Sequence, residues 1–418
     1  MEIKTKNKKT KKQRINMFFK ILLIVLIVIA VILCSLVCVS VVGIKSNSNF
    51  IKTNAAVEYE NQLVPEMDDD GYYSFTTDRD FKIMQLTDVH IGAGFLCIKK
   101  DTMALNSVAA MISAEKPDLV IVTGDIAYPV PFQAGTFNNK HSAELFAQLM
   151  EQLGVYWCPV FGNHDTEIYS FYSREYISEL YESEKYPHCL FQSGPEDIYG
   201  FGNYVVNVRN SNGDITQSLF LIDSNSYTKD EKNVFNTLWN YDCIHKDQIE
   251  WYKQELENLK DENNGIMPKS LAFFHIPLEE YKTAWFEYVD NGYKDTENVK
   301  YIDGKAGEVD AVIFSSEYNY GFFDTVLELG STKGIFCGHD HLNNFSLDYK
   351  GVKLTYGYSV DYLAYFGIMK YGLQRGCTII TTSPDSTFDV QHENYYQDKY
   401  SPLQEKESVV MDDYYTEE

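Results

Sequence analysis

Five short segments place metal-ligating residue types directly after apolar runs. "DVH" puts Asp88 and His90 behind "FKIMQLT", and "GD" puts Asp125 behind "DLVIVT". "GNHD" puts Asn163, His164 and Asp165 behind "VYWCPVF". His275 ends "SLAFFH", and "GHDH" puts His339 and His341 behind "GIFC". One such segment is ordinary turn chemistry; five in one chain, each closing an apolar run, point to a shared site. Neutral imidazoles, carboxylates and one amide oxygen suit Mn, Fe or Zn, whereas a closed structural zinc site would call for thiolates. The set exceeds the needs of one ion and suffices for two, which at roughly 3.5–4 Å apart clamp the oxygens of an in-line phosphoryl displacement. A ligand shared by both ions needs an oxygen for each, and Asp125 stands in the middle of the order. His141, His188, His245 and His392 have no such context and read as ordinary surface or core residues.

Tyr128, three residues after Asp125 in "TGDIAYP", raises a second option, a tyrosinate ligand. His90, two residues from Asp88, is already placed for the same ion. Tyr128 is therefore expected to pack beside the site, and the protein to be colourless. Gly124, Gly162 and Gly338 each precede a ligand and are expected to let the backbone turn sharply there.

Strands must carry these residues to a common edge. The apolar runs alternate with helix-like stretches at 102–115 and 141–153, the pattern of βαβ units, in which strand ends on one edge converge and form sites. Further on, 203–209 and 218–223 flank "NSNGD", a hairpin with its turn at Asn212-Gly213. A second hairpin over 345–356 turns at Lys350-Gly351, residues 246–260 form an amphipathic helix, and 377–382 read as the last strand. The expected fold is α/β: two mixed sheets face to face with helices outside.

With these motifs in hand, the chain resembles the calcineurin-like metallophosphoesterase superfamily over roughly residues 80–385, through its D-x-H, G-D, G-N-H-D, lone His and G-H-x-H segments. "SREYISELYESEKYP", "SGPEDIYGFGNYVV", "FFHIPLEEY" and "FCGHDHLNNF" are similar to its purple-acid-phosphatase-like branch. The resemblance implies a four-layer αββα sandwich holding two divalent or trivalent metal ions. It assigns Asp88, His90, Asp125 and His341 to the first ion, and Asp125, Asn163, His275 and His339 to the second. It makes His164 the residue that supports the phosphate and protonates the leaving oxygen, with Asp165 orienting it. The implied reaction is metal-dependent hydrolysis of a phosphomonoester by a hydroxide bridging the two ions. The alternative is a phosphodiesterase acting on nucleotides or phospholipid headgroups; a non-catalytic binding protein on this fold is the third reading.

Charge and hydropathy add a location. The net charge is -24, yet residues 1–20 carry about +7, leaving about -31 on the remainder. An acidic body excludes nucleic-acid binding through a general basic surface. Ile21 to Ile44 form 24 uncharged residues, long enough to cross a bilayer. Neither a cleavage site nor a lipoprotein-type cysteine context accompanies them. The basic cluster ahead of the span predicts a single-pass signal-anchor, N-terminus cytoplasmic, catalytic domain extracellular or lumenal. The expected divisions are 1–20 basic tip, 21–44 transmembrane anchor, 45–75 stem, 76–385 catalytic domain and 386–418 acidic tail. Cys34 and Cys38 fall in the span. The other six cysteines leave disulfides open, although Cys158 and Cys337 lie in strand-like runs and read as small hydrophobes.

Overall fold

The computed structural model describes residues 10–228, 240–365 and 375–409. The basic residues Lys4 to Lys9 and the end of the acidic tail lie outside this set. The apolar segment belongs to one helix, α1 (Lys11–Ile51, 41 residues), long and apolar enough to cross a membrane.

Two sheets follow. Nine strands form the first, in the order β1 (Glu66–Met67), β2 (Tyr73–Thr76), β6 (Tyr204–Arg209), β7 (Ile215–Leu221), β8 (Ser270–Phe273), β10 (Thr332–Cys337), β12 (Val352–Tyr356), β11 (Ser346–Tyr349), β9 (Val299–Asp303). Five form the second, in the order β14 (Phe388–Asn394), β13 (Gly376–Thr382), β3 (Phe81–Leu86), β4 (Leu119–Thr123), β5 (Trp157–Val160). Strands β3, β4 and β5 pair in parallel, as do β7, β8, β10 and β12. Central β4, "LVIVT", is buried at every position, the pattern of a β-branched strand covered on both faces.

Alternation along β7 shows how the layers stack. Leu219 and Leu221 join the core shared with β3, β4 and β5, while Phe220 and Ile222 join a core on the other face. That other face is covered by α5 (Lys246–Glu262), α6 (Glu279–Asp290) and α7 (Phe322–Leu329). Helices α2 (Ile98–Glu115), α3 (Asn139–Leu153) and α4 (Arg174–Tyr181) cover the outer face of the five-stranded sheet. The result is the expected four-layer αββα sandwich. Both predicted hairpins form: β6 and β7 flank Asn210–Asp214, and Lys350 (φ 54°) with Gly351 (φ 82°) turns β11 into β12. All eight cysteines are free thiols.

Two expected boundaries differ. Residues 45–75 are not a polar stem. The end of α1 lies on the domain: Ile51 is buried in the core, and a side chain on Gly43 would meet Ile98 at 2.5 Å. Asn47 Nδ2 donates to the Ile98 carbonyl (3.4 Å), Ser48 Oγ to Gln148 Oε1 (2.9 Å), and Gln152 Nε2 to the Asn54 carbonyl (2.7 Å). Strand β2 then brings the fully buried Phe75 into the sheet. Polar residues disguised this docking: the buried positions Gly43, Asn47, Ile51 and Asn54 recur every third or fourth residue, but two of them are polar, and Asn47 and Ser48 bond to the domain.

The second difference is at the other end. Residues after 385 begin with β14, paired with β13 over all seven of its residues, so 377–382 is not the last strand. Its outward positions are polar because it is an edge strand. Tyr395 and Tyr400 are buried beyond it. Arg375, fully buried, lies 3.6 Å from the Tyr362 ring and donates from Nη1 to Glu407 Oε1 (2.7 Å) and from Nε to the Asp361 carbonyl (3.0 Å). Arg375→Met is expected to destabilise the protein by about 3 kcal/mol, the low end for breaking a buried ion pair because Glu407 is partly exposed. Denaturant unfolding of the full-length chain in detergent checks this; a change within about 0.5 kcal/mol, the range of a bland surface substitution, would contradict it.

Candidate metal centre

The loops after β3, β4, β5, β8 and β10 hold the predicted residues, and all but His164, His339 and His341 are buried. Asp88, His90, Asp125, Asn163 and His275 are at most 1 % exposed. Asp88 (φ 51°), His90 (φ 52°), Asp125 (φ 54°) and His339 (φ 77°) sit in the left-handed region, a conformation that costs non-glycine residues of order 1–3 kcal/mol and is kept where surroundings impose it. Here the loops impose it on one another. Asp88 N–H donates to the Gly124 carbonyl (3.2 Å), His90 N–H to the Asp125 carbonyl (3.0 Å), and His339 N–H to Asp88 Oδ2 (3.2 Å). Gly124 does turn with positive φ (86°). Gly162 and Gly338 do not. Their role is space: a Cβ would lie 2.1 Å from Asp125 Oδ1 and 1.8 Å from Thr87 Oγ1, respectively.

Ligand-type atoms then converge in two nests. In one, atoms of Asp88, His90 and His341 lie within 4.8 Å of one another; in the other, atoms of Asp88, Asp125 and His275 do. Asp125 Oδ2 stands between them, 3.3 Å from His90 Nε2 and 3.2 Å from His275 Nε2. Around His275 Nε2 also lie Asn163 Oδ1 (3.1 Å) and His339 Nδ1 (3.3 Å).

Tautomers follow from the partners. His275 Nδ1 faces the Thr123 carbonyl at 2.8 Å and must donate to it, so neutral His275 turns the lone pair of Nε2 inward. Asn163 spends its Nδ2 on the Tyr227 hydroxyl (3.0 Å), so its oxygen also faces inward. Oxygen and nitrogen lone pairs therefore face one another, an arrangement that could hold a cation. Asp88 Oδ1, buried, has no hydrogen-bond partner among the described residues.

Electrostatics agree. Burial alone would push His90 down, but Asp361 and Asp125 raise its pKa to about 10. Burial likewise opposes, and Asp125 chiefly causes, the rise of His275 to about 9. Asp125 resists its own burial because His275 and His164 hold it well below the usual carboxylate range.

Three residues escaped the sequence reading. Asp361 lies 3.2 Å from His90 Nδ1 and 3.4 Å from His341 Nδ1, and its carboxylate accepts the N–H groups of Leu363, Ala364 and Tyr365 at 2.6–2.7 Å. It fixes which nitrogen each ring offers inward, as carboxylates behind metal-ligating histidines do. Glu167 Oε1 accepts from His164 Nδ1 (2.7 Å) and from the Tyr227 hydroxyl (3.1 Å). Arg174 donates to Asp223 (2.6 Å) and to the Gly162 carbonyl (2.8 Å), holding the "GNHD" loop. Glu167, three residues from His164, was findable by spacing; Asp361 and Arg174 carried no local signal.

One expected role is corrected. Asp165 does not orient His164; Glu167 does. Both Asp165 oxygens are taken by backbone N–H groups, of Gly162 (2.8 Å), Asp125 (3.0 Å) and Ala127 (2.8 Å), so it ties two loops together. Tyr128 donates its hydroxyl to Gln133 Oε1 (2.6 Å) and lays its ring 4.8 Å from those of both His90 and His164. His141, His188, His245 and His392 pair instead with Glu144, Glu151, Asp242 and Asp303.

Comparison with known proteins points the same way. The calcineurin-like phosphoesterase family model matches residues 81–343. A protein of Arabidopsis thaliana named probable inactive purple acid phosphatase 14 is 30 % identical over 319 residues, covering 70 % of this chain and 73 % of that protein. Phosphatase DCR2 of Saccharomyces cerevisiae is 31 % identical over 291 residues, covering 65 % of this chain and 46 % of its own length. Among solved structures, a dimetal phosphatase from Danio rerio matches with a TM-score of 0.45 and 13 % identity, over 77 % of this chain and 98 % of that one. The extent of the family match and the plant relative together show that this chain belongs to the calcineurin-like phosphoesterase family.

Proposed function

We propose that this protein is a membrane-anchored, metal-dependent phosphomonoesterase with its catalytic domain on the non-cytoplasmic side. The observation that carries the reading is Asp125 Oδ2, held between two imidazole nitrogens at 3.2 and 3.3 Å, where one carboxylate oxygen can serve two cations, instead of the expected oxygen for each, while Oδ1 accepts the His164 N–H (2.8 Å). Asp88, His90 and His341 would complete one site; Asn163, His275 and His339 the other. When bound, two such ions supply Lewis acidity toward phosphoryl oxygens and lower the pKa of water.

The chain's own groups do the remaining work. The His164 side chain is about a quarter exposed and so can meet substrate. Glu167 on its Nδ1 directs Nε2 outward, where a proton can pass to the leaving oxygen. Asp165 and Arg174 keep the His164 loop against Asp125. Tyr128 walls one side, its ring 4.8 Å from those of His90 and His164. The lone apolar helix and the basic residues ahead of it support the anchor and its orientation.

The plant relative, named a probable inactive purple acid phosphatase, favours a second reading, a binding protein on a phosphoesterase fold. Against it stands a complete ligand set with His164 and its Glu167 partner in place.

Two variants test the reading. His164→Ala should lower turnover of an aryl phosphate about 10²- to 10⁴-fold while elemental analysis finds metal retained. Asp125→Asn should lose both turnover and metal. Wild-type turnover in either variant would refute the assignment, and metal without turnover in the parent would support the binding protein.

Metal uptake should also release protons. His90 and His275, with pKa values of about 10 and 9 before metal binds, are protonated at pH 7 and must deprotonate to coordinate. Affinity should therefore rise with pH toward about 9–10, close to tenfold per pH unit for each proton released. Calorimetric titration of the stripped protein with Zn²⁺ in two buffers of different ionisation heat measures this; equal heats would contradict it.

The metal-loaded protein should be colourless. Tyr128→Phe should leave its visible spectrum unchanged, since the hydroxyl is spent on Gln133. A tyrosinate absorption band that vanishes in the variant would place Tyr128 among the ligands.

A further inference from the structure

We infer that the metal centre faces the bilayer and that its substrate is a phosphoester carried on a membrane lipid. The inference rests on the proposed function and adds to it a direction and a substrate class.

The direction comes from α1. The helix meets the domain first at Ile98, the start of α2, through Gly43 and Asn47. It ends beside the far end of α3, where Asn54 meets Gln152 and Val57 meets Leu153. Helices α2 and α3 start just after β3 and β4, on the edge that carries Asp88, His90 and Asp125. The apolar span therefore leaves the domain at the metal-bearing edge. About 20 helical residues cross the hydrocarbon core. Counted from Ile21, they end near Ser40, about one turn before Gly43 touches the domain.

The surface at that edge is suited to lipid. Phe132 is 91 % exposed, Ile168 86 %, Phe171 68 % and Leu96 52 %. They lie on the three successive loops after β3, β4 and β5. These loops touch: Phe137 stacks on Phe171 at 5.9 Å, and a side chain on Gly135 would meet the Phe95 ring at 2.7 Å. Apolar side chains clustered on adjoining loops mark an interaction surface. A bilayer anchored one helical turn away is the partner at hand. Lys45 and Lys99 are exposed beside the same junction, where anionic headgroups would meet them.

A cavity of about 1000 Å³ gives the headgroup somewhere to go. Glu167 and Tyr227, which contact His164 and Asn163, form one wall. Ile168 and Phe171 also line it, so the exposed apolar surface continues into the cavity, whose Glu167 and Tyr227 wall borders His164 and Asn163.

The test uses the full chain in phosphatidylcholine vesicles doped with phosphatidic acid. Brominated lipid should quench the added fluorescence of Phe132→Trp but not that of Ile266→Trp, an exposed residue on the opposite edge. Equal quenching, or quenching at Ile266 alone, overturns the orientation. In the activity arm, Phe132→Asp should slow phosphate release from phosphatidic acid roughly tenfold, the partition of one buried Phe side chain, while Phe132→Leu largely restores it. Hydrolysis of a soluble aryl phosphate should be unchanged. Equal loss on both substrates, or no loss on lipid, overturns the lipid substrate. No release from either substrate by the parent sinks the phosphoesterase reading and the lipid substrate with it; quenching still decides the orientation, because it needs no turnover.

Discussion

The inward lone pairs around Asp125 govern this structure. An imidazole fixed by the Thr123 carbonyl, an amide fixed by Tyr227 and a buried carboxylate all present acceptors to one another. Unpaired buried acceptors are costly, and without cations the site recovers part of that cost by protonating His90 and His275. Every loop that brings these atoms together must resist their mutual avoidance. The left-handed backbone at Asp88, His90, Asp125 and His339 is the visible form of that resistance.

What resists is largely carboxylate bonded to main chain. Asp165 accepts three N–H groups and joins the loops after β4 and β5. Asp361 accepts three more while bracing two histidines. Arg375 donates to the carbonyl of Asp361 and to Glu407, so the stretch past β14 helps to hold the metal centre in place. The C-terminal strand thus belongs to the support of the site as well as to the sheet.

Much of this was legible in the sequence, for physical reasons. Motif residues announced themselves because ligand chemistry restricts residue type and strand ends restrict position, and the structure does bring the motifs from Asp88 to His341 to one edge. The sandwich was legible because "DLVIVT" and its kin bury both faces. Asp361 was not, because a carboxylate that acts through the far nitrogens of His90 and His341 needs no fixed spacing from either. Asp165 misled for a related reason: adjacency to His164 suggested contact, but the chain turns its carboxylate toward Gly162 and Ala127. Residues 45–52 and 388–400 misled because polarity was taken for solvation. There Asn47 and Ser48 bond to the domain, and the polar residues of β14 pair with β13 along its whole length, with His392 and Glu393 withdrawn from solvent.

The docked end of α1 has one more effect. In the proposed anchor, a continuous helix that runs from the apolar span into Ile51 of the core would have no hinge, and the domain would inherit the tilt of the span. Helices longer than the local hydrocarbon thickness adapt by tilting. Changes in bilayer thickness would then raise or lower the metal-bearing loops relative to the headgroups, and the lipid composition of the surrounding membrane would set how deep the chemistry takes place.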